Sequence, residues 1–148
     1  MRTISSTMAW TLAVASLTLA ACGDGLDRAD ADNVEAVALG QTLYGQHCAE
    51  CHGAALQGQP NWRTPQEDGT LPAPPHNDTG HTWHHPDSYL FGYTKLGGQA
   101  MIPADYKSAM PAFQDKLKDA DIWAVLSYIK SRWSDNSRMR QERLNRQG

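Results

Sequence analysis

An all-α fold is what the sequence predicts, and three observations support it. Apolar residues recur at helical spacing over residues 32–47 and again over residues 119–133. The stretch 57–85 between them holds five prolines and three glycines, so it can form neither a helix nor a regular strand. We therefore expect one helical domain of ordinary size over residues 33–133, with a long irregular loop inside it.

The first segment, residues 1–21, has the features of an export signal. Arg2 precedes an apolar run over residues 8–21 that is too short to span a bilayer and ends in small residues. The run closes with Leu-Ala-Ala-Cys, which resembles the lipobox of bacterial lipoproteins, so we expect Cys22 to carry lipid. The alternative is a plain signal peptide that leaves Cys22 a free thiol. An unpaired thiol is a liability in an oxidising compartment, which favours the lipid anchor.

Charge marks the two ends of the chain. The sequence holds 13 Lys and Arg residues against 16 Asp and Glu residues, a formal net charge of −3, which argues against nucleic-acid binding. Residues 22–32 are acidic and predict a flexible tether that keeps the domain near the membrane. Residues 134–148 are rich in arginine and predict a basic, solvated tail.

The first predicted helix starts near Asp32 and Glu35, which stand three apart like a capping box. It runs directly into Cys48. Gly40 in its interior costs about 1 kcal/mol relative to Ala, so we expect another helix to cross closely at that point.

Cys48-Ala49-Glu50-Cys51-His52 follows at once, and C-x-x-C-H is the minimal sequence that attaches a c-type haem. On a helical turn these three side chains share one face, so two thioethers can hold the porphyrin edge while the imidazole of His52 ligates the iron. Two alternatives are a thioredoxin-like dithiol and a mixed zinc site completed by later histidines. If Cys22 takes lipid, the three cysteines are all assigned and none is left for a disulfide.

The loop over residues 57–85 needs a surface to order it, and a haem would supply one. Its four histidines are His76, His81, His84 and His85. One of them could replace a methionine on the iron, and the spacing of the last three would also suit copper or zinc. Because Pro86 makes residue 85 a helix boundary, we favour packing along the haem edge and hydrogen bonds to propionates, with Trp62 and Arg63 as further candidates.

Two more helices complete the domain. A short one should begin at Pro86-Asp87, with Pro at the first position, and end near Gly97-Gly98. In the last helix the apolar stripe repeats at spacings of four, three and four: Ile122, Leu126, Ile129 and Trp133.

Three segments together resemble the bacterial monohaem class I cytochromes c. They are the run 40–53 around the haem motif, the loop 109–113 with Met110-Pro111, and the helix 121–129. The resemblance covers residues 33–133 and implies the class I fold with one covalent haem c. It also implies His52 and Met110 as axial ligands, with Met101 as the runner-up and Met139 the least favoured.

The same resemblance makes finer expectations. The family often supplies a backbone carbonyl to the free N–H of the proximal imidazole, and Pro60 stands where we expect it. Lys118 occupies the place of the usual Ser or Thr cap, so we expect Asp119 to cap the last helix. The loop over residues 57–85 is an insertion relative to the compact members.

With both axial positions filled, the resemblance implies a carrier of single electrons and not an enzyme. Its partners would be periplasmic or respiratory redox proteins, met on the periplasmic side of a bacterial membrane to which Cys22 anchors the domain. The alternatives are a haem enzyme or ligand sensor, a haem-containing subunit of a larger oxidoreductase, and a metal-handling protein that uses the loop histidines.

Overall fold

The structure is a computed structural model that describes residues 25–147, so the export signal and Cys22 lie outside the described residues. Within that range it holds six α-helices, one 3₁₀ turn and no β-strand. The helices are α1 (Val34–His47), α2 (Ala49–His52), α3 (Asp87–Leu96), α4 (Gly98–Met101), α5 (Asp119–Ser131) and α6 (Asp135–Asn145), and the 3₁₀ turn is Thr82–His84. None of these helices is long and apolar enough to cross a membrane. The predicted all-α class is confirmed.

Helices α1 and α5 cross at Gly40, as its position predicted. A Cβ atom at Gly40 would overlap the backbone carbonyl of Ala124 and would stand 3.0 Å from the Cβ of Tyr128. The predicted start of α1 is wrong by one residue, because Asn33 caps the helix and accepts a hydrogen bond from the N–H of Ala36 at 3.0 Å. Asp32 instead lies outside the helix.

All four members of the predicted apolar stripe are buried, but α5 ends at Ser131, so Trp133 lies two residues beyond the helix that was expected to include it. The expected cap is wrong: Lys118 occupies the cap position, and the carboxylate of Asp121 accepts a hydrogen bond from its N–H at 3.0 Å. Asp119 is the first helical residue and forms an exposed ion pair with Lys95 at 2.7 Å.

Helix α3 ends at a glycine that the path of the chain requires. Gly97 has a φ of +84°, and a Cβ atom there would stand 2.8 Å from the backbone nitrogen of Ala112. Its bare backbone lets the 110–112 loop pass closely over the end of the helix. Pro86 caps α3 and is not its first helical residue, so the helix begins at Asp87, one residue later than predicted.

The loop over residues 57–85 is irregular apart from its 3₁₀ turn, as predicted. Protein contacts also order it. The N–H of Gln59 donates to the carbonyl of Ala73 at 2.9 Å, and the indole N–H of Trp133 donates to the carbonyl of His76 at 2.7 Å. The first bond closes an excursion over residues 60–72, and the second joins the loop to Trp133, two residues beyond the end of α5.

Both predicted ends differ from the solvated segments that their composition suggested. Ala29 is buried, and the N–H of Asp30 donates to the hydroxyl of Ser127 on α5 at 2.9 Å. Residues 135–145 form α6, in which Gln141 is fully buried. Polar pairing explains this burial, because the amide of Gln141 donates to the carboxylate of Asp87 at 2.5 Å.

Candidate haem-binding site

The cysteine and histidine side chains of the motif stand at the junction of α1 and α2. Cys48 ends α1, where its N–H donates to the carbonyl of Tyr44 at 2.9 Å, and its own carbonyl accepts from the N–H of His52 at 2.9 Å. Both motif cysteines are free thiols, with Cys48 half-buried and Cys51 exposed. Burial, together with the nearby Cys51, raises the pKa of Cys48 to about 11.

His52 is buried and its ring is held by the backbone. Its Nδ1 lies 2.8 Å from the carbonyl oxygen of Pro74. Because a carbonyl only accepts, Nδ1 carries the proton and the lone pair of Nε2 stays available to a metal. Desolvation lowers the pKa of His52, which keeps the imidazole neutral, as a metal ligand must be.

The carbonyl that holds His52 belongs to Pro74, so the expectation for Pro60 is wrong. The excursion over residues 60–72 carries Pro60 away, and the chain returns to the histidine only at Pro74. Gly58 makes the return possible: its φ is +67°, and a Cβ atom there would overlap the backbone at Pro75. The pairing of Gln59 with Ala73 that closes the excursion is a non-local contact without a local sequence signal.

These residues fit a haem. Two free thiols and a neutral imidazole with a free Nε2 are the donor set that covalent attachment needs, and all three come from one turn of chain. Partly buried apolar side chains pack against the core at the start of α2, in the 3₁₀ turn, on α3 and in the 110–112 loop: Cys48, Ala49, Trp83, Tyr89, Phe91 and Met110. The Nδ1 of His81 is buried with no partner among the described residues, so it can hydrogen-bond a carboxylate.

The three methionines of the described residues have different surroundings. Met110 is half-buried against the core, and its carbonyl accepts from the N–H of Gly98 at 3.0 Å. Met101 packs on α3, where a Cβ atom at Gly92 would stand 3.6 Å from its sulfur. Met139 lies on α6 and is 55% exposed.

The histidines of the loop do not assemble into a metal site. Among residues 25–147, no group of three or more His, Cys, Asp or Glu side chains is placed to hold a metal ion. His85 is extended and not helical, and His84 packs edge-on against Trp83 at 3.7 Å, so the predicted helical face is absent. His81 instead stacks on Trp62 at 5.2 Å, with 7° between the rings.

The sequence marks His76 only as one of several loop histidines, and the structure places its ring against that of His52. Its ring stacks on that of His52, with 4.0 Å between centroids and 26° between planes. A ring beside His52 stands on the same side as that ligand, so His76 cannot take the opposite axial position. Sequence spacing gave no signal for this contact.

Comparison with known proteins agrees with the site. The family model described as Cytochrome c matches residues 37–133, about two thirds of the chain. No curated protein and no solved structure matches the chain. Members of the matched family bind haem c covalently and use it for electron transfer, and the all-α fold found here is that of class I. The chain belongs to the cytochrome c family.

Proposed function

We propose that this cytochrome c carries single electrons between redox proteins at the periplasmic side of a bacterial membrane, with His52 and Met110 as the axial ligands of one haem. One observation carries most of the proposal. His52 directly follows Cys51, the second of two free cysteines, and the Pro74 carbonyl fixes its tautomer so that Nε2 is free.

Each residue of the motif has a role in this proposal. The thiols of Cys48 and Cys51 form the covalent links, and His52 provides the proximal nitrogen. The Pro74 carbonyl accepts a hydrogen bond from Nδ1–H of the ring, which makes Nε2 a stronger electron-pair donor to a metal. When bound, haem supplies a one-electron iron couple.

The surroundings of the three methionines favour Met110 as the distal ligand. Its loop is held at a defined place by the bond from Gly98 and by a second bond, from the Met110 N–H to the Ser108 hydroxyl at 3.3 Å. The side chain of Met101 lies beside Gly92 of α3, where an added Cβ would stand 3.6 Å from its sulfur, and Met139 lies on the exposed side of α6. Ligation by a thioether opposite an imidazole raises the reduction potential and fills the coordination sphere, which suits a carrier and not a catalyst.

The membrane anchor rests on the lipobox-like sequence before Cys22. Because the chain docks on the domain at Ala29, at most about 25 Å of extended chain would separate the lipid from the domain. Such a short tether keeps the haem close to membrane-bound partners. Replacing Cys22 by Ser should move the protein from the membrane fraction to the soluble fraction, and unchanged membrane association would contradict the lipid anchor.

Absorption spectroscopy of the holoprotein tests the ligand set. We expect covalent, low-spin haem with the long-wavelength charge-transfer band of thioether ligation in the ferric state. Met110→Ala should abolish that band, whereas the matched variant Met101→Ala should retain it. Rapid and complete carbon monoxide binding by the reduced wild type at neutral pH would contradict the carrier function and favour a ligand sensor.

A further inference from the structure

His76 is held in place independently of the ligand it contacts. Its backbone N–H donates to the carbonyl of Leu56 at 2.9 Å, and its carbonyl accepts from the indole of Trp133 at 2.7 Å. Its ring Nδ1 is hydrogen-bonded to the hydroxyl of Thr82 at 2.9 Å. Backbone and ring are therefore both fixed before the contact with His52 is counted.

Thr82, which holds the His76 ring, is itself held by the surrounding structure. Its side chain is buried, and its hydroxyl also lies 3.4 Å from the carbonyl of Pro75. On another side Tyr44, which is 1% exposed, meets the His76 ring edge-on at 6.1 Å. These contacts leave the His76 ring little freedom to turn.

The hydrogen bond from His52 to Pro74 does not fix the plane of the imidazole ring. It fixes the direction of Nδ1, but hydrogen bonds to a carbonyl form over a broad range of angles, and the terminal torsion of a histidine is also broad. A flat ring stacked at 4.0 Å meets the whole face of the imidazole. Rotation of His52 about its Nδ1–oxygen direction would drive its ring edge into His76.

We propose that His76 is a positioning residue that sets the plane of the His52 imidazole about the axis to the iron. The inference rests on the proposed ligation of haem by His52. Together with the orientation of the thioether opposite, the plane of an axial imidazole would influence which iron d orbital holds the unpaired electron in the ferric state. His76 would therefore contribute to the orientation of the magnetic axes of the ferric haem.

The test is to record the proton resonances of the haem methyl groups and the electron paramagnetic resonance g values in ferric holoprotein. His76→Ala removes the stacked ring, so we expect the methyl resonances to change order and the g values to shift. His76→Phe keeps a flat ring but cannot bond Thr82, so its spectra should lie nearer to those of the wild type. The thioether charge-transfer band should persist in both variants, which shows that the distal ligand is unchanged.

Asp87→Ala is the control for lost stability, because it breaks a buried network around α3 and α6 that does not include His52. It should unfold more easily and keep the wild-type resonances. Unchanged resonances in His76→Ala would overturn the inference. If His76→Ala does not bind haem, Thr82→Val provides the test, because it removes the hydrogen bond that holds the His76 ring. Displaced resonances in Thr82→Val would support the role of His76, and wild-type resonances would overturn it. A wild-type chain without covalent haem would overturn the proposed function itself.

Discussion

Gly40 is a residue whose missing side chain determines how two helices meet. Any Cβ atom there would enter the carbonyl of Ala124, and the backbone of α5 cannot yield without moving its buried stripe. Gly45 lies in the same helix, is exposed, and has nothing within 4 Å of the place where a Cβ would stand. The two glycines thus separate the effect of close packing from the effect of helix propensity.

Gly40→Ala should lower the free energy of unfolding by at least about 2 kcal/mol, because overpacking at the crossing outweighs the better helix propensity of Ala. Gly45→Ala should raise it by up to about 1 kcal/mol. Denaturant unfolding of the holoproteins, followed by helical circular dichroism, measures both. Equal effects of the two substitutions would contradict a close crossing at Gly40.

At the scale of elements, α6 is joined to the domain by a polar network around Asp87. The carboxylate accepts from Lys130 of α5 at 2.8 Å and from Asn145 of α6 at 2.9 Å, while Gln141 donates to its other oxygen. The side chain of Asn145 also accepts from the N–H of Asp87 at 2.7 Å, at the first turn of α3. One carboxylate thereby connects α3, α5 and α6.

Asp87→Ala should cost about 3 kcal/mol of unfolding free energy, because it leaves the charge of Lys130 largely buried without its partner. Asp119→Ala breaks a similar ion pair with Lys95, in which the two side chains are 60% and 34% exposed, and should cost about 1 kcal/mol or less. Thermal or denaturant unfolding of the two variants measures the contrast. Comparable losses would contradict the structural role of the buried network.

This network also shows which elements the sequence could predict. Helices α1 and α5 bury apolar residues at helical spacing, so periodicity predicts both helices, and the glycine inside α1 predicts a close crossing. Helix α6 buries Gln141, whose partner lies more than fifty positions earlier, and no local pattern records that pairing. The same reason explains why the sequence predicts the haem motif but not the positions of Pro74 and His76. The motif is local, whereas their positions depend on how the loop closes.

At the scale of the whole molecule, the loop places two partly buried histidines, His81 and His85, where water stabilises their charged form less well than in the unfolded chain. Desolvation, with smaller contributions from neighbouring charges, lowers the pKa of both His81 and His85 below the ordinary value of 6.5. His85 stacks on Tyr89 at 4.6 Å, with 21° between the rings.

The free energy of unfolding should therefore fall as the pH is lowered from 7 to 5. At His85 the unfolded chain binds a proton below pH 6.5 more readily than the folded chain does, so acid favours unfolding. Because the ring is partly exposed, the slope stays well below the limit of about 1.4 kcal/mol per pH unit for one group. His85→Gln should make this dependence shallower. Denaturant titrations of the holoproteins at pH 5, 6 and 7 measure the slopes, and a wild-type slope that is flat or of opposite sign would contradict the burial of neutral histidines in the loop.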